Sequence, residues 1–149
     1  MDPSQGNQGL PGLSTRVDQT SRKFLTDNNH KSERGMSLPS SVQDVGNTPV
    51  TKLRAGLVLV RVEAAGANLG KYVHVTHADA PAAVDIKSAL LLMQDINMLG
   101  HDGAVEAKVA SGLIHGFVDD TKLTYGTTDD QIKDSVRGAL PLVMFENVA

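Results

Sequence analysis

Cysteine and tryptophan are missing from this 149-residue chain, and aromatic residues of any kind are scarce, with two Tyr and three Phe. Without cysteine there can be no disulfide, no thiolate-bound zinc and no thiol nucleophile, as expected of a protein made in a reducing cytosol. With so few aromatics, the core has to be built from Val, Leu, Ile, Ala and Met. Such a core is thin, because aromatic side chains supply the largest single burials, and association between copies becomes a route to more buried area. Runs of Lys and Arg are also missing, and the formal charge is −3. A nucleic-acid partner is therefore not expected, and neither are aromatic platforms for stacking single-stranded bases. The longest apolar runs, 57–60 and 89–93, fall far short of the roughly 20 residues that span a bilayer. The opening MDPSQGNQGLPGLST has no basic stretch leading into an apolar one, so it does not read as a secretory signal, and a soluble protein with no membrane partner is expected.

What is present divides near residue 50. Residues 1–50 are rich in Ser, Gln, Asn, Gly, Pro and Asp, and their apolar residues are mostly solitary: Leu10, Leu13, Val17, the pair Phe24-Leu25, Met36, Leu38, Val42 and Val45. No period of 2 or 3.6 persists long enough to bury a face. This composition lacks the apolar density to fold alone and predicts an extended arm, one that becomes ordered by inserting isolated aliphatics into a partner while its backbone adds to an exposed sheet edge; the alternatives are a disordered tail and a tail docked on its own domain. Residues 51–149 are expected to form the folded domain without it.

From Thr51 onward the pattern is β. In LVLVRVE (57–63), Val58, Val60 and Val62 share one face while Leu57 and Leu59 give the other some apolar character. The small-residue turn 64–70 leads to a returning strand, KYVHVTH (71–77), which predicts a hairpin. The run 88–97 (SALLLMQDIN) reads as a further strand because it is short and ends on the turn signal 99–103 (LGHDG). AVEAKVA (104–110) alternates, which predicts Val105, Ala107 and Val109 inside, and LIHGFV (113–118) continues after Ser111-Gly112. Gly112 and Gly116 point to a bulge or a close backbone approach. Near the end, Thr128 followed by Gln131, with Asp129 and Asp130 between, predicts a helix start. Ile132 and Val136 give that helix one apolar stripe, Gly138 is expected to stop it, and 142–145 (LVMF) reads as a closing strand. The fold expected is mainly β: a small barrel-like or tulip-like domain with one short C-terminal helix and a long extended N-terminal arm.

Candidate chemistry is sparse. His74 and His77 are three apart, and on a strand an odd separation sends them to opposite faces, so they are not expected to ligate together. His101 belongs to a glycine-flanked turn and His115 to an apolar strand. Asp129-Asp130 is accounted for by the helix start and Asp119-Asp120 by a turn after a strand. Neither pair has calcium-loop spacing, and no nucleophile elbow or phosphate loop occurs. No catalytic residue, metal or cofactor is expected. An enzyme using His and Asp would instead gather two or more of His74, His77, His101 and His115 in one pocket with a carboxylate.

The order of elements from residue 53 onward resembles the lambda-type head decoration proteins of tailed phages. The resemblance rests on LRAGLVL (53–59), an R-A-G-type turn opening the domain; on GKYV (70–73) at a strand start; on ALLLMQDIN (89–97) as an interior strand; on DGAVEAKV (102–109) and GLI (112–114) as the next; and on a short helix followed by a terminal strand at 140–145. It covers roughly 95 of 149 residues. It implies a homotrimer on the exterior of the expanded head, seated at three-fold and quasi-three-fold positions of the major capsid protein and cementing the shell against internal DNA pressure. It further implies that the arm residues Leu10, Leu13, Val17, Phe24, Leu25, Met36, Leu38, Val42 and Val45 engage capsid-protein strands. The alternative is another phage structural module from a tail or fibre, which would more often carry a repeat or coiled coil; neither is visible here.

Overall fold

Apolar residues on both sides of one strand require cover on both sides, and the segment around Val58–Arg61 has it: Leu57, Val58, Leu59, Val60 and Val62 are all buried. The computed structural model describes residues 24–27 and 29–147. Within them lie β1 (Ser32–Leu38), β2 (Lys52–Leu53), β3 (Val58–Arg61), β4 (Tyr72–His74), β5 (Ala89–Leu92), β6 (Ile96–Asn97), β7 (Lys108–Asp119), α1 (Asp130–Ala139) and β8 (Val143–Glu146). The main sheet runs β1-β7-β5-β3-β4 with every pair antiparallel, and β8 joins it parallel to β7. β2 and β6 form a separate two-stranded ribbon.

β7 is the spine. Its first half lies between β1 and β5, and its second half between residues 24–26 and β8. There Thr26 N donates to Phe117 O at 3.0 Å and Asp119 N to Phe24 O at 2.7 Å. The sheet rolls until β1 and β4 approach within 8 Å between Cα atoms, but they do not hydrogen-bond. The domain is thus mainly β with one short helix, as the sequence suggests, and the roll is not a closed barrel. β4 is only three residues long and the chain turns away after it, so no ladder can shut the gap.

Several local expectations hold. The hairpin forms with Val60 opposite Val73. The run at 88–97 is β rather than helix, but it is two strands and not one: β5 is wholly buried between β3 and β7, and after a break at 93–95 β6 belongs to the separate ribbon. Gly112 is a close approach: a Cβ there would lie 2.6 Å from Leu90 Cβ.

Others are corrected. The boundary at residue 50 does not stand, because β1 is an integral strand and Phe24, Met36, Leu38 and Val42 are buried in the domain's own core. Their spacing looked too sparse to bury a face. The other residues of that face come from β7 and the rest of the core, not from the segment itself. Val105, Ala107 and Val109 are exposed rather than inward. Gly112 must sit beneath Leu90, which places Ala110 and Gly112 on the inner face and so turns Val109 outward. β7 also runs unbroken through Ser111-Gly112. Asp129, not Thr128, caps α1, accepting from Gln131 N at 2.9 Å. Gly138 lies inside α1, which ends at Ala139 ahead of Pro141.

Candidate interaction surface

Polar pins fix the loops that carry the exposed residues. Asp44, fully buried, accepts from Arg54 Nε at 2.7 Å, Arg54 Nη2 at 2.9 Å and Arg54 N at 3.2 Å, tying the loop after β1 to the turn before β3. Burial pushes the Asp44 carboxyl up, but the bonds and charge of Arg54 outweigh it and hold the group below its ordinary range. That turn is the R-A-G segment. Gly56 adopts φ 87°, open to glycine at little cost, and Ala55 N donates to Asp95 Oδ1 at 2.8 Å. At the other end of the sheet, Tyr125 donates its hydroxyl to Asp120 Oδ1 at 2.6 Å, and Arg137 Nη2 donates to Asp120 Oδ2 at 2.8 Å. The Arg137 guanidinium lies 5.7 Å from the Tyr125 ring and 6.0 Å from that of Phe145, so one cation joins α1 to β8. Burial and then the Asp120 carboxylate push the Tyr125 phenol up, so it stays neutral and serves as a donor.

Two apolar outcrops remain on the surface. One is at β8, where Met144 and, just before the strand, Leu142 are 58% and 62% exposed while Val143 between them is buried. Among the described residues β8 pairs only with β7, so its outer side is an open sheet edge. The second lies around the β2–β6 ribbon. Met98 N donates to Thr51 O, Glu106 N to Met98 O and Asp44 N to Val50 O, and the three segments present Val45, Leu99 and Val105, with Val109, 79% exposed, just beyond. Solitary exposed aliphatics are normal on a surface; aliphatics grouped on an open edge and a loop cluster offer contact to a partner.

The residues assigned to the arm are divided by the fold. Phe24, Met36, Leu38 and Val42 are buried and Leu25 half-buried against Val118, so these side chains are already covered by the chain itself. Val45 is exposed in the second outcrop. Leu10, Leu13 and Val17 lie outside the described residues. Leu142 and Met144 do not stand out in the sequence, because 142–145 (LVMF) is apolar throughout and marks no outer face.

The histidines sit in different settings. His74 is buried at the end of β4, its Nδ1 2.7 Å from Val58 O. His77 lies in the following turn, with Nε2 2.8 Å from Ser41 Oγ. His101 is exposed in the turn after Leu99, and His115 is half-buried on β7 opposite Ser32. Among the described residues, no three His, Asp or Glu side chains are grouped to hold a metal ion, and no helix is long and apolar enough to cross a membrane. Against models of known families, curated proteins and solved structures, the chain has no match.

Proposed function

We propose that this chain is a head decoration subunit of a tailed phage, a homotrimer that binds the major capsid protein on the exterior of the expanded shell and stabilises it. The observation that carries this reading is the open outer side of β8, with Met144 exposed on it and Leu142 exposed just before it; β7 separates this edge from residues 24–26, where the chain enters the domain. An edge strand with apolar side chains is a site for strand addition, whether it gives or receives the added strand. The element order also supports it: a left-handed glycine turn at Arg54–Gly56, a hairpin, a buried interior strand, a long strand, a short helix and a closing strand.

In this reading the capsid-binding segment is narrower than residues 1–50. Leu10, Leu13, Val17 and Val45 remain candidates for capsid contact, while Phe24, Met36, Leu38 and Val42 hold the domain together. Three such segments on one trimer would raise avidity through effective concentration, so weak individual strand additions suffice. Binding only to the expanded shell follows if the receiving edge is exposed by expansion. The test is binding of the intact protein and of a Leu142→Ser/Met144→Ser variant to expanded and unexpanded shells. We expect the intact protein to bind expanded shells alone and the variant to bind them at least tenfold more weakly; equal binding of both proteins to both shells overturns the assignment of this edge.

A further inference from the structure

The ladder between β3 and β4 stops one step early. Val60 pairs with Val73 and Leu59 with His74, so the next bonded partner of Val58 should be Val75. The chain turns at Val75 instead, and Val58 finds both partners elsewhere. Its carbonyl lies 2.7 Å from His74 Nδ1, and its N–H donates to Thr124 O at 3.0 Å, while Thr124 N donates to Gly56 O at 3.0 Å. A side chain and a crossing segment replace the missing backbone.

A carbonyl only accepts, so Nδ1 carries the proton and Nε2 has a lone pair. Nε2 is buried and has no hydrogen-bond partner. It faces Gly126, which has φ 70°, and a Cβ at Gly126 would overlap Nε2 and lie 3.0 Å from Thr76 Cγ2. The nitrogen thus lies beneath the exposed backbone of Gly126. The charged groups in electrostatic reach are Asp44, from the loop after β1, and Arg54, from the turn before β3. They oppose each other in sign and are bonded together, so neither is free to compensate a charge on the ring. Burial, the largest influence, favours the neutral imidazole.

We propose that His74 is a proton-operated latch: neutral, it holds the 123–126 segment and the end of β4 against β3, and protonation at Nε2 releases that segment ahead of the rest of the sheet. A proton on Nε2 has no acceptor, so the cheapest relief is to move Gly126 away and admit water, which breaks the Val58–Thr124 bond. The sign follows from linkage. The released imidazole has an ordinary pKa of 6.5 and the latched one a lower value, so the latch is fully closed above that pH and weakens as pH falls through it.

Amide hydrogen exchange on the intact chain from pH 8 to 5, corrected for intrinsic rates, tests this. We expect protection at Val58 and Thr124 to be constant above about pH 7 and to fall by up to about tenfold per pH unit below about 6.5, while Leu91 and Leu113 keep theirs. His74→Asn places a non-titrating amide near Nδ1, and its profile should be flat. The inference is overturned if Val58 and Thr124 lose protection in step with Leu91 and Leu113, if they show no acid dependence, or if His74→Asn keeps the same dependence. Should that variant fail to fold, ring nitrogen shifts of the intact protein decide: the proton is expected on Nδ1 at pH 8, and a proton on Nε2 overturns the latch.

Discussion

Arg54 grips Asp44 with two side-chain nitrogens and its own backbone N–H, and Asp44 has no exposed surface. The pair lies where a segment of low apolar density meets the turn that starts β3. It fixes that loop with charge rather than with packing.

Removing one partner of a buried pair leaves the other uncompensated, so Arg54→Ala should cost about 3 kcal/mol or more, read from urea unfolding. Arg54→Lys should cost less, since it keeps the charge and loses the two-point geometry. The folded-state carboxyl of Asp44 titrates below its ordinary 3.8, so its contribution is present above about pH 4 and lost as pH falls further. Arg54→Ala within about 0.5 kcal/mol of the parent would mean that the pair is solvated.

Gly112 sets the parity of β7. A methyl added there meets Leu90 Cβ at 2.6 Å, backed by a fully packed β5. Gly112→Ala should therefore destabilise by about 1–3 kcal/mol, read from urea unfolding, and Leu90→Ala should not rescue it, because alanine keeps the Cβ that the added methyl meets. A Gly112→Ala variant as stable as the parent would show that the two positions do not touch.

Much of the sheet is legible in the sequence because hairpin turns and two-sided apolar strands are local signals: β3, β4, β5 and the closing strand follow from them. What fails does so for nonlocal reasons. Met36 and Leu38 look too isolated to bury, yet they are two adjacent inner positions of a strand whose remaining face is supplied by β7, some seventy residues on. Val109 alternates like a core residue, yet the clash of any side chain at 112 with Leu90 reverses the parity. Of the interaction surface, Val45 stands out in the sequence as a solitary aliphatic, while Leu142 and Met144 become visible only once β8 is known to be an outer strand.

The helix cap gives a clean contrast between two neighbouring residues. Asp129 accepts from Gln131 N, so Asp129→Ala should cost about 1 kcal/mol, whereas Thr128→Ala should change stability by less than about 0.5 kcal/mol. The reverse order, by thermal or urea unfolding, would place the helix start one residue earlier.

Truncation separates the domain from its N-terminal extension. Deleting residues 1–23 leaves every described contact in place and should preserve a cooperative unfolding transition. Deleting residues 1–50 removes β1 together with Phe24, Met36, Leu38, Val42 and Asp44. At roughly 1.5–3 kcal/mol for each of the four apolar side chains, that loss consumes most of a typical folding free energy, and circular dichroism should show an unfolded chain. A cooperative transition in the larger deletion would mean that β1 is dispensable.

The most direct test of the proposed decoration role is co-sedimentation of the purified protein with expanded, undecorated head shells of the tailed phage that, on this proposal, encodes it. We expect saturable binding at one trimer per three-fold and quasi-three-fold position, with shells that then survive heating better than bare ones. Shells that pellet without the protein at saturating concentration would contradict the role and redirect attention to a tail or fibre partner.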